Sequence, residues 1–181
     1  MIAQTQDQLV YTLDKAHTTV EFVVRHLMIT KVRGRFAGFE GRIELARGSD
    51  VPQRITATID TASIDTREEQ RDAHLRSADF FEVEKYPTMV FESTRIEGPA
   101  DSFTVVGNLT LHGVTREVTL TGTFEGRGAD PWGGQRIGYA AHTKIERKDF
   151  GMTFNAALEA GGVMVSDEVR IEINAEAILQ A

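Results

Sequence analysis

The chain contains no cysteine. That excludes a disulfide framework, thiolate metal sites and a cysteine nucleophile, and it leaves the redox compartment open. No apolar run approaches the length of a bilayer span, so no stable membrane insertion is expected. Positive charge is in deficit: the formal net charge is -7, and the short basic run Lys31, Arg33, Arg35 does not reverse it. Attraction to nucleic acid as a bulk effect is therefore not expected. The first ten residues hold Gln4, Gln6, Asp7 and Gln8 but no basic residue, unlike a secretory leader. The expectation is a cytoplasmic location, or a periplasmic one if a leader was removed. No low-complexity linker or internal repeat divides the 181 residues, and 41% hydrophobic content fits one domain with one core.

Catalytic signatures are also missing. No H-E-x-x-H occurs, and no two of His17, His26, His74, His112 and His142 lie within one helical turn of each other. None of Ser63, Ser77 and Ser93 sits in a G-x-S-x-G turn. Asp149-Phe150-Gly151 has three letters of a kinase motif without the rest of it. The glycines of 125–134 do not form a phosphate-binding fingerprint. Trp132, in that segment, is expected to cover a barrel end or pack under its loop. Catalytic residues, metal and cofactor are all expected to be none.

What is present is period-two alternation. Val169, Ile171, Ile173, Ala175 and Ala177 share one face against Arg170, Glu172, Asn174 and Glu176. Val118, Leu120, Gly122 and Phe124 form a second such face, and Phe103, Val105, Gly107, Leu109 and Leu111 a third. Val20, Phe22 and Val24 form a fourth, which ends in His26. Shorter runs occupy 32–36, 42–46, 54–59, 88–94 and 139–145, with turn residues between them. Many one-faced strands with short connections imply an antiparallel sandwich or barrel. Lys31, Arg33 and Arg35 should line a strand face outside it.

One segment breaks the pattern. Thr66-x-x-Glu69 reads as a capping box, which predicts a short helix over 67–76. It carries Arg71-Asp72-x-His74-Leu75, followed by Phe80-Phe81. Asp72 could orient His74 or pair with Arg71. The cluster reads either as a polar anchor for a ligand head group or as a structural network at the barrel rim. The inward residues leave a second choice open. Ala57, Gly107, Gly122, Ala141, Ala175 and Ala177 are small, and Phe22, Phe36, Phe91, Phe103 and Phe124 are large. The small ones either leave space for a ligand or face large ones across a filled core.

The chain resembles the YceI-like family of polyisoprenoid-binding, lipocalin-like proteins. The matching pieces are Leu13-Asp14-x-x-His17-Thr18-x-Val20-x-Phe22, Val24-Arg25-His26-Leu27 and Val32-Arg33-Gly34-Arg35-Phe36. Ser63-Ile64-Asp65-Thr66, the Arg71 to Phe81 segment, Tyr86-Pro87 and the run from Gly107 to Thr115 follow. Arg147-Lys148-Asp149-Phe150-Gly151 and Asp167-Glu168-Val169 complete the match over about residues 11–178. The resemblance implies an all-β fold with one short helix. It is an extended antiparallel lipocalin-like β-barrel of about eight strands around an apolar cavity. Residues 1–10 would be a loose extension and 11–181 the barrel domain.

The leading expectation is a non-enzymatic binding, storage or transport protein. Its ligand would be a long-chain isoprenoid, an isoprenoid quinone or a fatty amide, and the resemblance implies a homodimer. Phe22, Val24, Phe36, Phe91, Phe103 and Phe124 are the expected apolar wall. His26, Arg71, Asp72 and His74 are the candidate polar contacts, with Leu75, Phe80 and Phe81 turned to the interior. Two alternatives remain: an enzyme acting on a lipid-like substrate with His74 or His26 as general base, and a stress-related structural protein with a filled barrel.

Overall fold

The computed structural model describes residues 7–159 and 162–181. It contains β1 (Gln8–Leu13), β2 (Thr19–His26), β3 (Thr30–Phe36), β4 (Phe39–Ala46), β5 (Arg54–Asp60) and β6 (Ile64–Asp65). A helix, α1 (Glu69–Arg76), precedes β7 (Thr88–Glu97), β8 (Phe103–Leu111), β9 (Val114–Ala129), β10 (Gln135–Glu146) and β11 (Glu168–Leu179). All the strand pairs are antiparallel.

β11 closes the barrel by pairing with two strands. Its later half lies beside β1 (Leu13 opposite Ala177) and its earlier half beside β2 (Phe22 opposite Ile171). β1 and β2 therefore form one long, interrupted stave. β3 and β4 form the next, because β3 pairs with β2 and β4 with β1. β5 and β6 form the third, against β4 and β3 respectively. With β7 to β11 this makes eight staves, the number expected. Closure removes the exposed sheet edges that an open sheet would present.

The interruptions have local causes. The Asp14 carboxylate accepts from Ala16 N at 3.0 Å and starts a 3₁₀ turn over Lys15–His17. Asp60 does the same for Thr61–Ser63, accepting from Ala62 N at 3.0 Å. Each turn interrupts its stave without ending it. β1 includes residues 8–10, which the sequence reading assigned to the extension; Gln8 pairs with Ala46. Residues 1–6 lie outside the described residues.

The helix starts later than its capping box suggested. Arg67 has φ +64, which no helix accommodates. Glu68 is the cap, accepting from Gln70 N and Arg71 N, while Thr66 is tied to Asp72 instead. Two further differences lie at the other end. β9 runs on through Ala129 and takes in Gly126 and Gly128 of the glycine-bearing segment 125–134. Trp132 is 85% exposed in the β9–β10 connection and covers nothing.

The core has two parts. One cluster, around Tyr11, Leu45, Phe103, Ile137 and Ala177, plugs the β1–β4 end. The other, around Phe36, Ile64, Phe80, Phe150 and Met152, lies at the α1 end.

Candidate functional site

The barrel interior is not filled. A cavity of about 540 Å³ lies between the two clusters and borders both. Leu13, Ala57, Val105, Leu120, Ala141, Ile173 and Ala175 are among its wall residues, all apolar. Such a volume, lined by hydrocarbon with a few polar groups, is the usual form of a small-ligand pocket.

Alanines leave this space open; the inward glycines do not. A Cβ on Gly34 would lie 2.2 Å from the Phe22 ring, one on Gly107 2.5 Å from Phe91, and one on Gly122 2.3 Å from Phe103. Each glycine seats a phenylalanine laid across its strand. The pairing of small with large residues, one of the two readings above, is thus true locally, beside a cavity that the alanines keep open.

The expected wall residues Phe22, Val24, Phe36, Phe91 and Phe103 line the cavity, and so do Leu75, Phe80 and Phe81. Phe124 does not. A bulge near Gly138 shifts the β9–β10 register, and the Phe124 ring packs behind Tyr139 at 5.8 Å between centroids. Tyr139 forms the cavity floor there. Its hydroxyl donates to Asp50 O at 2.8 Å, and burial pushes its pKa well up.

Polar groups gather at the α1 end. His26, Thr66, Gln70, Arg71 and His74 all border the cavity. Asp72 does not. It is buried and accepts from Thr66 N at 2.9 Å and Thr66 Oγ1 at 2.5 Å. Arg71 donates to Thr66 Oγ1 and Thr66 O, each at 2.7 Å. His74 turns to Asp79, with Nε2 2.8 Å from Oδ2, and its ring sits edge-on between Phe80 and Phe154. Asp72 thus meets neither Arg71 nor His74 directly: Thr66 joins it to Arg71, and a second carboxylate holds the imidazole. Arg76 donates to Ala62 O and Ile64 O and fastens the helix to β6.

Arg147 was not singled out for this site. It borders the cavity and is only 4% exposed. Its guanidinium donates to Met152 O and Phe154 O at 2.8 Å and to Ser166 O at 3.0 Å, and it reaches Asp167. Burial lowers its pKa, against the opposing charge of Asp167. It ties residues 152–154 to 166–167 after β10. The signal for it was in the alternation: Tyr139, Ala141, Thr143 and Ile145 point inward, and 147 is the next position.

At the opposite end, Asp14, His17 and Glu176 bring ligand-type atoms within 4.8 Å of one another. The Arg136 guanidinium already bridges Asp14 at 2.6 Å and Glu176 at 2.7 Å.

The comparisons agree with this geometry. The model of the YceI-like domain matches residues 11–177. A UPF0312 protein of Serratia proteamaculans is 44% identical over 145 residues, covering 79% of this chain and 76% of its own. The solved YCEI protein of Campylobacter jejuni superposes with a TM-score of 0.76 at 33% identity, covering 94% of this chain and 98% of that one. A polyisoprenoid binding domain from Saccharophagus degradans shares the fold, with a TM-score of 0.66 at 18% identity over 95% and 99% of the two chains. A closed eight-stave barrel around an apolar cavity, with these relatives, establishes that the chain belongs to the YceI-like family.

Proposed function

We propose that the protein binds a long-chain isoprenoid, such as a polyprenyl lipid or an isoprenoid quinone, inside the barrel, and stores or carries it. The observation that carries this reading is the shape and chemistry of the cavity. It is walled mainly by hydrocarbon, with His26, Thr66, Gln70, Arg71 and His74 together on its α1 side and Glu40, Arg42, Thr56 and Tyr139 elsewhere on the wall. An amphiphile matches that division: its chain gains by leaving water, and its head group meets donors at the α1 rim. The S. degradans neighbour is described as a polyisoprenoid binding domain, which supports the same ligand class here.

Arg71 and His74 are the head-group contacts in this reading, since each keeps part of its side chain on the cavity while braced from behind. Asp72 acts through Thr66 and Arg71 as a brace. His74 and His26 both border the cavity, as a general base would require. The hydrogen-bonding partner of His74 is Asp79, half-exposed beside the helix, which fits orientation of the ring. We take the role as non-enzymatic because the supporting neighbour is described as a binding domain. The test is native mass spectrometry of the purified protein, with lipid extraction. The expected result is a noncovalent adduct that extracts as a prenyl chain. Protein that neither carries nor takes up a prenyl lipid, quinone or fatty amide would overturn the proposal.

A further inference from the structure

Among the described residues four large hydrophobic side chains are exposed, and three of them are consecutive. Leu27, Met28 and Ile29 are 38%, 56% and 75% exposed at the tip of the β2–β3 hairpin. The backbone there is unfavourable as well. Leu27 and Met28 have φ +52 and +62, a region that hairpin tips normally assign to glycine or asparagine. Neither choice serves solubility or folding.

The base of the same hairpin is cationic. Arg25 and Lys31 stand directly opposite each other on β2 and β3, both exposed. Like charges so placed repel. Neither has a carboxylate within ion-pair distance among the described residues, whereas the next arginine along β3, Arg33, is held by Glu21 and Glu172. An unneutralised basic pair therefore sits behind an apolar tip, in a chain of net charge -7.

The tip also adjoins the cavity wall, of which Arg25 at the hairpin base is itself part. His26, the last residue of β2, borders the cavity, and Leu27 N donates to Met164 O at 2.8 Å. Met164 and Val165 are themselves cavity-lining. We propose that this hairpin is a peripheral docking element for an anionic bilayer. The apolar tip enters the interfacial layer, Arg25 and Lys31 meet anionic head groups, and this side of the cavity wall is brought against the membrane. Apolar tips with basic flanks bind such surfaces through both terms together. The inference rests on the isoprenoid reading only for its purpose, which is to let a chain enter the barrel without crossing water.

The test is co-sedimentation of the full chain with phosphatidylcholine vesicles, with and without phosphatidylglycerol. Beside the unaltered chain run L27S/M28S/I29S, R25Q/K31Q and a salt titration. Uptake of geranylgeraniol delivered from detergent is measured on the same samples, and oligomeric state by light scattering. The expected result is salt-sensitive binding to the anionic vesicles, reduced roughly twenty-fivefold in R25Q/K31Q at about fivefold per basic residue. The serine variant should lose binding by at least as much. Detergent-delivered uptake should be unchanged in the serine variant, whose three positions do not line the cavity. Absence of vesicle binding by the unaltered chain, or full binding by the serine variant, overturns the proposal. So does a serine variant that turns a dimer into a monomer and leaves vesicle binding untouched, which would make the tip a self-contact. Vesicle binding without geranylgeraniol uptake would instead refute the isoprenoid reading and leave the docking element standing.

Discussion

Ala141→Phe should close part of the cavity and separate stability from binding. Ala141 lies on β10, opposite Gly122 and Ile173, and borders the cavity. At ~30 Å³ per water-sized group, 540 Å³ holds about eighteen non-hydrogen atoms, or three to four five-carbon units. The added phenyl ring takes the place of about six of them. At ~0.8 kcal/mol per buried methylene, the ligand loses up to about 5 kcal/mol. A chain that shortens its path or shifts toward the rim recovers part of that. The expected loss of geranylgeraniol affinity is therefore at least about tenfold, equivalent to ~1.4 kcal/mol. The empty protein should respond in the opposite sense. Filling a void typically adds about 1 kcal/mol, which raises Tm by ~2–4 °C in a domain of this size. Calorimetry of the ligand-free protein and uptake of radiolabelled geranylgeraniol give the two readouts. Undiminished uptake by a variant with an intact melting transition would refute the assignment of this cavity as the binding site.

Three further outcomes follow from the geometry. Arg147→Met strands the carbonyls of Met152, Phe154 and Ser166, and a buried acceptor left unsatisfied typically costs about 1–3 kcal/mol. Hydrogen exchange should therefore accelerate in 152–166 before it does in the strands. Gly122→Val would force the Phe103 ring into the cavity, because the space for a Cβ is already taken. Overpacking of that kind costs about 1–3 kcal/mol, read as a lower denaturation midpoint together with weaker ligand uptake. The third is a pH effect at the opposite end of the barrel. The Arg136 guanidinium, with His17, holds the Asp14 carboxyl down at about 2. A lowered carboxylate pKa stabilises the fold above the ordinary value of 3.8, and the contribution is lost as pH falls toward about 2. Asp14→Asn should lower Tm at neutral pH and flatten its decline between those two values.

The barrel wall was legible because alternation is a local property. Period two in one strand tells which side chains face inward before any partner is known. The same rule reaches His26, the last residue of β2, and, carried one step past the strand end, Arg147 beyond β10. The direct pairing of Asp72 with Arg71 or His74 fails for a reason also present in the sequence. Residues one and two apart on a helix do not face each other, so Asp72 could meet neither Arg71 nor His74. Each found a partner off the helix instead, Thr66 before it and Asp79 after it. The glycine–phenylalanine pairs and the displacement of Phe124 depend on cross-strand register. Register is set by distant pairings and by the bulge at Gly138, which alternation within one strand does not contain.

The central claim is that an isoprenoid chain lies in this cavity with its polar end at the α1 rim. A crystal structure of the protein loaded with geranylgeraniol tests it most directly. The account predicts one elongated density running from Tyr139 to the rim, with the hydroxyl within hydrogen-bond distance of Arg71 or His74. A loaded protein whose barrel stays empty, or whose ligand places its hydroxyl against Tyr139 and its chain at the rim, would contradict it.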